Sequence, residues 1–96
     1  MKALWNNLVV ASSDATQIVE GNHYFPADSL RREFFTASNH TTTCHWKGTA
    51  RYYSIDVDGN SLENAAWYYP EPKAEASHIA GYVAFARGVT VVPGEA

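Results

Sequence analysis

The sequence predicts a mainly β domain of α+β type: a compact roll or barrel-like sheet of about six short strands with one short helix near residues 26–34. Three observations carry this. Short runs of β-branched and aromatic residues alternate with turn chemistry along most of the chain. The run Arg51 to Val57 alternates with period two, ends on Asp58-Gly59 and is followed by a second such run. Aromatic residues reach 14% of the chain, and such residues favour strands and fill small cores.

Taken in order, Leu8-Val9-Val10-Ala11 reads as a strand and Ser12-Ser13-Asp14 as turn chemistry. Thr16 to Glu20 reads as a second strand, so the two are expected to form a hairpin that Gly21-Asn22 ends. Pro26 to Phe34 carries the helix expectation. Proline suits the first helical position. Asp28 precedes Arg31-Arg32, the favourable order for a helix dipole. Leu30 and Phe34, four apart, share a face.

Thr36 to Gly48 is polar and reads as a long loop, a kind of segment that often carries function. Tyr53, Ile55 and Val57 then share one strand face, Asp58-Gly59 supplies a tight turn, and Ser61 to Tyr69 returns as the partner. Trp67 and Tyr69 fall on one face of that partner and Tyr68 on the other. Pro70 ends it, lacking a ladder donor. Glu71 to His78 suggests one helical turn, Tyr82 to Phe85 and Val89 to Val92 read as strands, and residues 93–96 as a tail.

With 96 residues the chain fits one domain, 1–96, and one core. Hydrophobic residues at 46% against charged residues at 18% give a globular composition. The seven basic residues are scattered and the net charge is −3, which argues against nucleic-acid binding through phosphate contacts. Apolar stretches are too short to span a membrane, and Met1 to Leu4 meets Asn6-Asn7 too soon for a signal peptide. A single cysteine, Cys44, forbids an internal disulfide and fits a reducing compartment, so the expected location is cytoplasmic.

Three blocks stand in order: Val19-Glu20-Gly21-Asn22-His23-Tyr24-Phe25-Pro26, His40-Thr41-Thr42-Thr43-Cys44-His45-Trp46-Lys47-Gly48, and Ala65-Ala66-Trp67-Tyr68-Tyr69-Pro70-Glu71-Pro72. With Ile79 to Phe85 downstream, the chain resembles the family catalogued as domain of unknown function 427, which is also filed under a nucleotidyltransferase heading. The likeness runs from Trp5 to Phe85. It implies a mostly β fold and an uncharacterised role. His45 stands where the family usually has proline, and Ala86-Arg87-Gly88 replaces a segment that is commonly aromatic and acidic.

Four chemistries compete for these blocks. Lys47-Gly48 beside Thr41, Thr42 and Thr43 offers a charge, hydroxyls and backbone donors to a phosphate, while Trp46, Trp67 and Tyr68 could stack a base. Against transfer chemistry, no Walker-type glycine spacing is present and few carboxylates are available for Mg²⁺. The bland reading folds the threonines into the loop and lays the Lys47 stem over a ring. His23, His40 and Cys44 could approach a metal, but adjacent Cys44-His45 cannot easily face one ion and no second ligand pair exists; no metal site is expected. Cys44 with His23 or His40, oriented by Glu20, would make a thiol–imidazole arrangement; otherwise Cys44 is a small buried hydrophobe. Finally, the rings could line a pocket or form core. Tyr53, Trp67 and Tyr82 are expected to be mainly structural, and Tyr24, Trp46 and Tyr68 to reach solvent.

The expected function is therefore binding of a small ligand, anionic or nucleotide-like, in an aromatic-lined pocket built from Glu20, His23, Tyr24, His40, Cys44, Trp46, Lys47 and Tyr68. Lys47 would pair with an anionic group, Glu20 and His23 would anchor, and Trp46 and Tyr68 would stack. Alternatives are an enzyme using that pocket, through nucleotidyl transfer or Cys/His chemistry, and a protein-interaction module. The sequence specifies no cofactor, ligand identity or oligomeric state.

Overall fold

Nine strands in three antiparallel sheets are present among residues 1–94, the part of the chain that the computed structural model describes. The first sheet has the order β2-β1-β9, with β1 at Lys2–Trp5, β2 at Leu8–Ser12 and β9 at Thr90–Val92. The second is a hairpin of β3 (Gln17–Val19) and β4 (Asn22–Tyr24). The third has the order β5-β6-β7-β8: Phe35–Cys44, Gly48–Val57, Asn60–Tyr68 and Val83–Phe85. None of the sheets closes into a barrel.

The third sheet is the middle layer. Its one face, carrying Tyr53, Ile55, Val57, Ala66, Tyr68 and Phe85, packs with Ala3, Val10 and Ala11 of the first sheet. Its other face, carrying Ala50, Tyr52, Trp67 and Ala84, packs with Val19 and Tyr24 of the β3–β4 hairpin. Ile79 closes this second core from a 3₁₀ segment at Ala74–Ile79. This split follows from the period-two alternation of β6 and β7, which sends neighbouring residues to opposite faces. Phe25 is fully buried and links the layers, exchanging backbone hydrogen bonds of 2.7 and 2.8 Å with Val83.

The hairpin around Asp58-Gly59 stands as the sequence predicts, with Val57 paired to Asn60 across the turn and both turn residues at positive φ. The helical turn expected within Glu71 to His78 falls at Ala74–Ile79, and the last two strands lie where expected.

Three expectations are corrected. The helix near residues 26–34 is two isolated 3₁₀ turns, Ala27–Ser29 and Arg32–Phe34. Between them Leu30 bridges to Ala11, and the Arg31 N–H donates to the Val10 carbonyl at 2.9 Å. These bonds to β2 take the extended geometry that a continuous helix would forbid. Secondly, Leu8–Ser12 does not pair with Gln17–Val19. β2 pairs back onto β1 through the Asn6-Asn7 turn, and β3 pairs forward onto β4 through Glu20-Gly21. All four turn residues have positive φ, as two-residue type I′ hairpin turns require. Thirdly, the expected loop from Thr36 to Gly48 is mostly strand β5, followed by the three-residue turn His45-Trp46-Lys47. Threonine favours strands, and β5 sits at a sheet edge where both faces meet water, so it shows no apolar alternation. Of the expected tail, residues 95 and 96 lie outside the described residues. No described helix is long and apolar enough to cross a membrane.

Candidate functional site

The turn between β5 and β6 holds a buried charge. Lys47 retains only 6% exposure, yet carries an ammonium. Leaving such a group unpaired would be costly, so its surroundings must answer it. Its Nζ donates to Oε1 of Glu20, whose side chain is about half exposed at 52%. The same Nζ lies 5.3 Å from the centre of the Trp46 ring and 5.6 Å from that of Tyr69, within cation–π reach of both.

Burial pushes the Lys47 ammonium down, but the Glu20 hydrogen bond and the nearby Tyr24 and Tyr69 oxygens outweigh it and hold the group above the usual lysine range. The Lys47 hydrogen bond in turn holds Glu20 below the usual carboxylate range, against the opposing effect of burial. Both shifts favour the charged pair.

The backbone around this turn is equally constrained. Gly48 has φ +115°, and a Cβ there would lie 3.4 Å from the Glu71 carbonyl oxygen and 3.6 Å from the Pro72 Cα. The φ is what calls for glycine, since a Cβ would meet the 71–73 segment only at van der Waals contact. The Lys73 N–H donates to the Lys47 carbonyl at 2.9 Å, and Lys73 Nζ donates to the His45 carbonyl at 2.5 Å. Strand β7, ended at Tyr68 and followed by Pro70, thus delivers a strap that clamps the turn.

Beneath the pair, Tyr24 is fully buried. Its hydroxyl accepts from Trp67 Nε1 at 3.1 Å, and the two rings meet edge to face at 6.4 Å. The expectation that Tyr24 reaches solvent is corrected: alternation along β4 turns it into the second core. Cys44 and Trp46 are partly buried against the same core.

Outside the strap, a surface groove of about 500 Å³ is lined by Gly48, Thr49, Arg51, Pro70, Glu71 and Lys73. Its lining residues include two basic ones, one threonine and one glutamate. Thr49 and Arg51 alternate with the buried Ala50, so they project from the face of β6 opposite the second core.

These blocks are the ones that carry the family signature. The model of a family described as a domain of unknown function (DUF427) matches residues 1–92. The chain belongs to this family. No curated protein matches it.

In this DUF427 domain the expected site residues divide. Glu20, Tyr24, Trp46 and Lys47 form one cluster, with Cys44 packed at the same core. His23 does not join it; its Nδ1 is 2.9 Å from Thr16 Oγ1. His40 lies further along β5 with its ring 4.6 Å from that of Tyr52. Tyr68 is on the opposite face of the sheet, stacked on Tyr53 at 4.7 Å and 17°. Burial, followed by Tyr53, raises the Tyr68 phenol above its usual range. No three His, Cys, Asp or Glu side chains among the described residues are placed to share a metal. The groove residues Thr49, Arg51, Glu71 and Lys73 escape sequence reasoning because each is an ordinary polar residue. Only the folding of the strap onto the turn makes them neighbours.

Proposed function

We propose that this domain binds a small oxyanion-bearing ligand, a phosphate or carboxylate compound, in the groove between Gly48–Arg51 and Pro70–Lys73. The single observation that supports it most is that Arg51, Lys73 and Thr49 line one groove of about 500 Å³. A guanidinium presents a planar fork of donors to an oxyanion, and a lysine adds a point charge. The main anion partner is then Arg51, with Lys73 adding positive charge while its Nζ holds the His45 carbonyl; Lys47, with its charge already answered by Glu20, fixes the groove wall from within. Glu71 disfavours a second negative charge on the inner side and selects for ligands with one anionic end. Trp46, at the turn that the strap covers, borders this region through its own chain neighbours.

Nucleotidyl transfer, the heading under which the family is also filed, has less support. One carboxylate lines the groove, whereas Mg²⁺-assisted phosphoryl transfer draws on several oxygen ligands. The cytoplasmic expectation is consistent with a lone, half-buried Cys44.

The test is a calorimetric titration with inorganic phosphate, nucleoside monophosphates, sugar phosphates and dicarboxylates, repeated on Arg51→Gln. A charged hydrogen bond contributes about 1.5–3 kcal/mol, so the variant should bind roughly ten- to a hundredfold more weakly. Equal binding by Arg51→Gln would remove the groove from the proposal.

A further inference from the structure

A second concavity lies at the far end of the first sheet. It measures about 470 Å³ and is lined by Leu4, Trp5, Asn6, Asn7, Gly88 and Thr90. No charged residue lines it, in contrast to the oxyanion groove. Its polar groups are two carboxamides and one hydroxyl, set beside an indole. None of the side-chain hydrogen bonds among the described residues uses Asn6, Asn7 or Thr90.

The backbone sharpens the point. Asn6 and Asn7 are the two central residues of the β1–β2 turn, with φ of 52° and 65°. Glycine is the usual second residue of such a turn, because it meets positive φ without a steric cost. The equivalent turns at Glu20-Gly21 and Asp58-Gly59 both place glycine second. Here the chain carries asparagine, which also tolerates positive φ, so the turn presents a carboxamide where its equivalents present none. Opposite it, Gly88 at φ +107° lets the β8–β9 connection pass close to Leu62, where an added Cβ would come within 3.1 Å of Cδ2.

From this we infer that the Trp5–Asn6–Asn7–Thr90 concavity is a binding site for a neutral, polyhydroxylated ligand of monosaccharide size. Carboxamides both donate and accept, matching vicinal hydroxyls that do the same. An indole offers a flat apolar surface to the C–H face of a sugar ring. The uncharged lining gives an ionic ligand no counter-charge for the water it would lose. This site shares no lining residue with the oxyanion groove, and its proposal stands independently of that one.

The experiment is an NMR titration of the intact chain with D-glucose, D-galactose and N-acetyl-D-glucosamine, alongside glucuronate as the charged comparator. The expected result is saturable shifts at the Trp5 indole and the Asn6 and Asn7 carboxamides, with a dissociation constant in the millimolar range and weaker binding of glucuronate. Asn7→Gly gives the turn its preferred sequence, so its melting temperature should hold or rise while affinity falls about tenfold. Thr90→Val removes only the exposed hydroxyl and should also weaken binding. Absence of saturable shifts with all three sugars would overturn the inference. So would undiminished binding in both variants, or glucuronate binding as tightly as glucose.

Discussion

Lys47, buried in the β5–β6 turn, is paired with the carboxylate of Glu20 in the β3–β4 turn, 27 residues away in sequence. The two hairpins are thereby joined by a charge pair that is buried at one end and open to water at the other. Glu20 makes this contact from a positive-φ turn position, where a residue with a Cβ is disfavoured. Lys47→Ala would remove the buried stem as well as the charge that lies near the Trp46 and Tyr69 rings, and should cost about 2 kcal/mol or more. Lys47→Met keeps the stem and removes the need for a counter-charge, so it should cost less than Lys47→Ala. Urea unfolding of both variants checks the order; equal costs would show that the charge, which both variants lose, and not the packing, dominates.

The same pair sets a pH window. Glu20 has its folded pKa held down, so its share of stability is present above the usual glutamate range and is lost as pH falls through the lowered value. Lys47 has its folded pKa held up, so its share is present below the usual lysine range and is lost as pH rises through the raised value. The melting-temperature difference between wild type and Lys47→Met should therefore form a plateau across neutral pH and fall on both the acid and alkaline flanks. A difference that is flat from acid to alkali would show that the pair does not couple to folding.

How far the sequence discloses this arrangement depends on which physics each segment uses. The Arg51–Tyr69 hairpin is legible because one apolar face alternates and Asp-Gly is a strong turn signal. The first two hairpins are missed because Ser12-Ser13-Asp14 looks like a turn, while the working turns are Asn6-Asn7 and Glu20-Gly21; the Asn-Asn pair, which tolerates positive φ, was the available signal. Strand β5 hides because a wet edge needs no apolar face. Lys47 and Glu20 are both singled out by the sequence, but their mutual pairing depends on how two turns meet, which no local pattern encodes. Tyr24 is assigned to solvent from its place at an element's end, and the backbone bonds between Phe25 and Val83 bury it.

The Gly48 position should tolerate no side chain. Its φ of +115° is unfavourable for any L residue, and the strap approaches within van der Waals contact of the missing Cβ. Gly48→Ala should destabilise by about 1–3 kcal/mol. The cost comes from the backbone φ, because the 71–73 segment at 3.4–3.7 Å leaves a methyl in ordinary van der Waals contact. Thermal melts check this; an unchanged melt would show that the turn relaxes to a φ that alanine accepts.

Cys44 offers a test of the thiol-enzyme alternative. It is partly buried against the second core, and no hydrogen bond among the described residues joins it to His23 or His40. A packed thiol without an activating partner behaves as a small hydrophobe. Iodoacetamide should alkylate the folded chain much more slowly than the urea-unfolded chain. Rapid labelling of the folded chain, faster than that of a free thiol, would revive Cys44 as a nucleophile.

Tyr24→Phe isolates the hydrogen bond that ties the β3–β4 hairpin to the central sheet. The ring would stay in place, with its edge-to-face contact to Trp67 intact, and only the hydroxyl would go. The Trp67 indole N–H would then lose its acceptor in a partly buried position. The net worth of such a bond is about 0.5–1.5 kcal/mol, with a further cost if the donor is left without water. Because Tyr24 also lies near Lys47, loss of its oxygen removes one of the groups that raise the Lys47 pKa. The variant should therefore be about 1–2 kcal/mol less stable near neutral pH, and its alkaline flank should move to lower pH. A variant as stable as wild type, with an unmoved alkaline flank, would mean that water replaces the hydroxyl and that the hairpin is held by Glu20–Lys47 and packing alone.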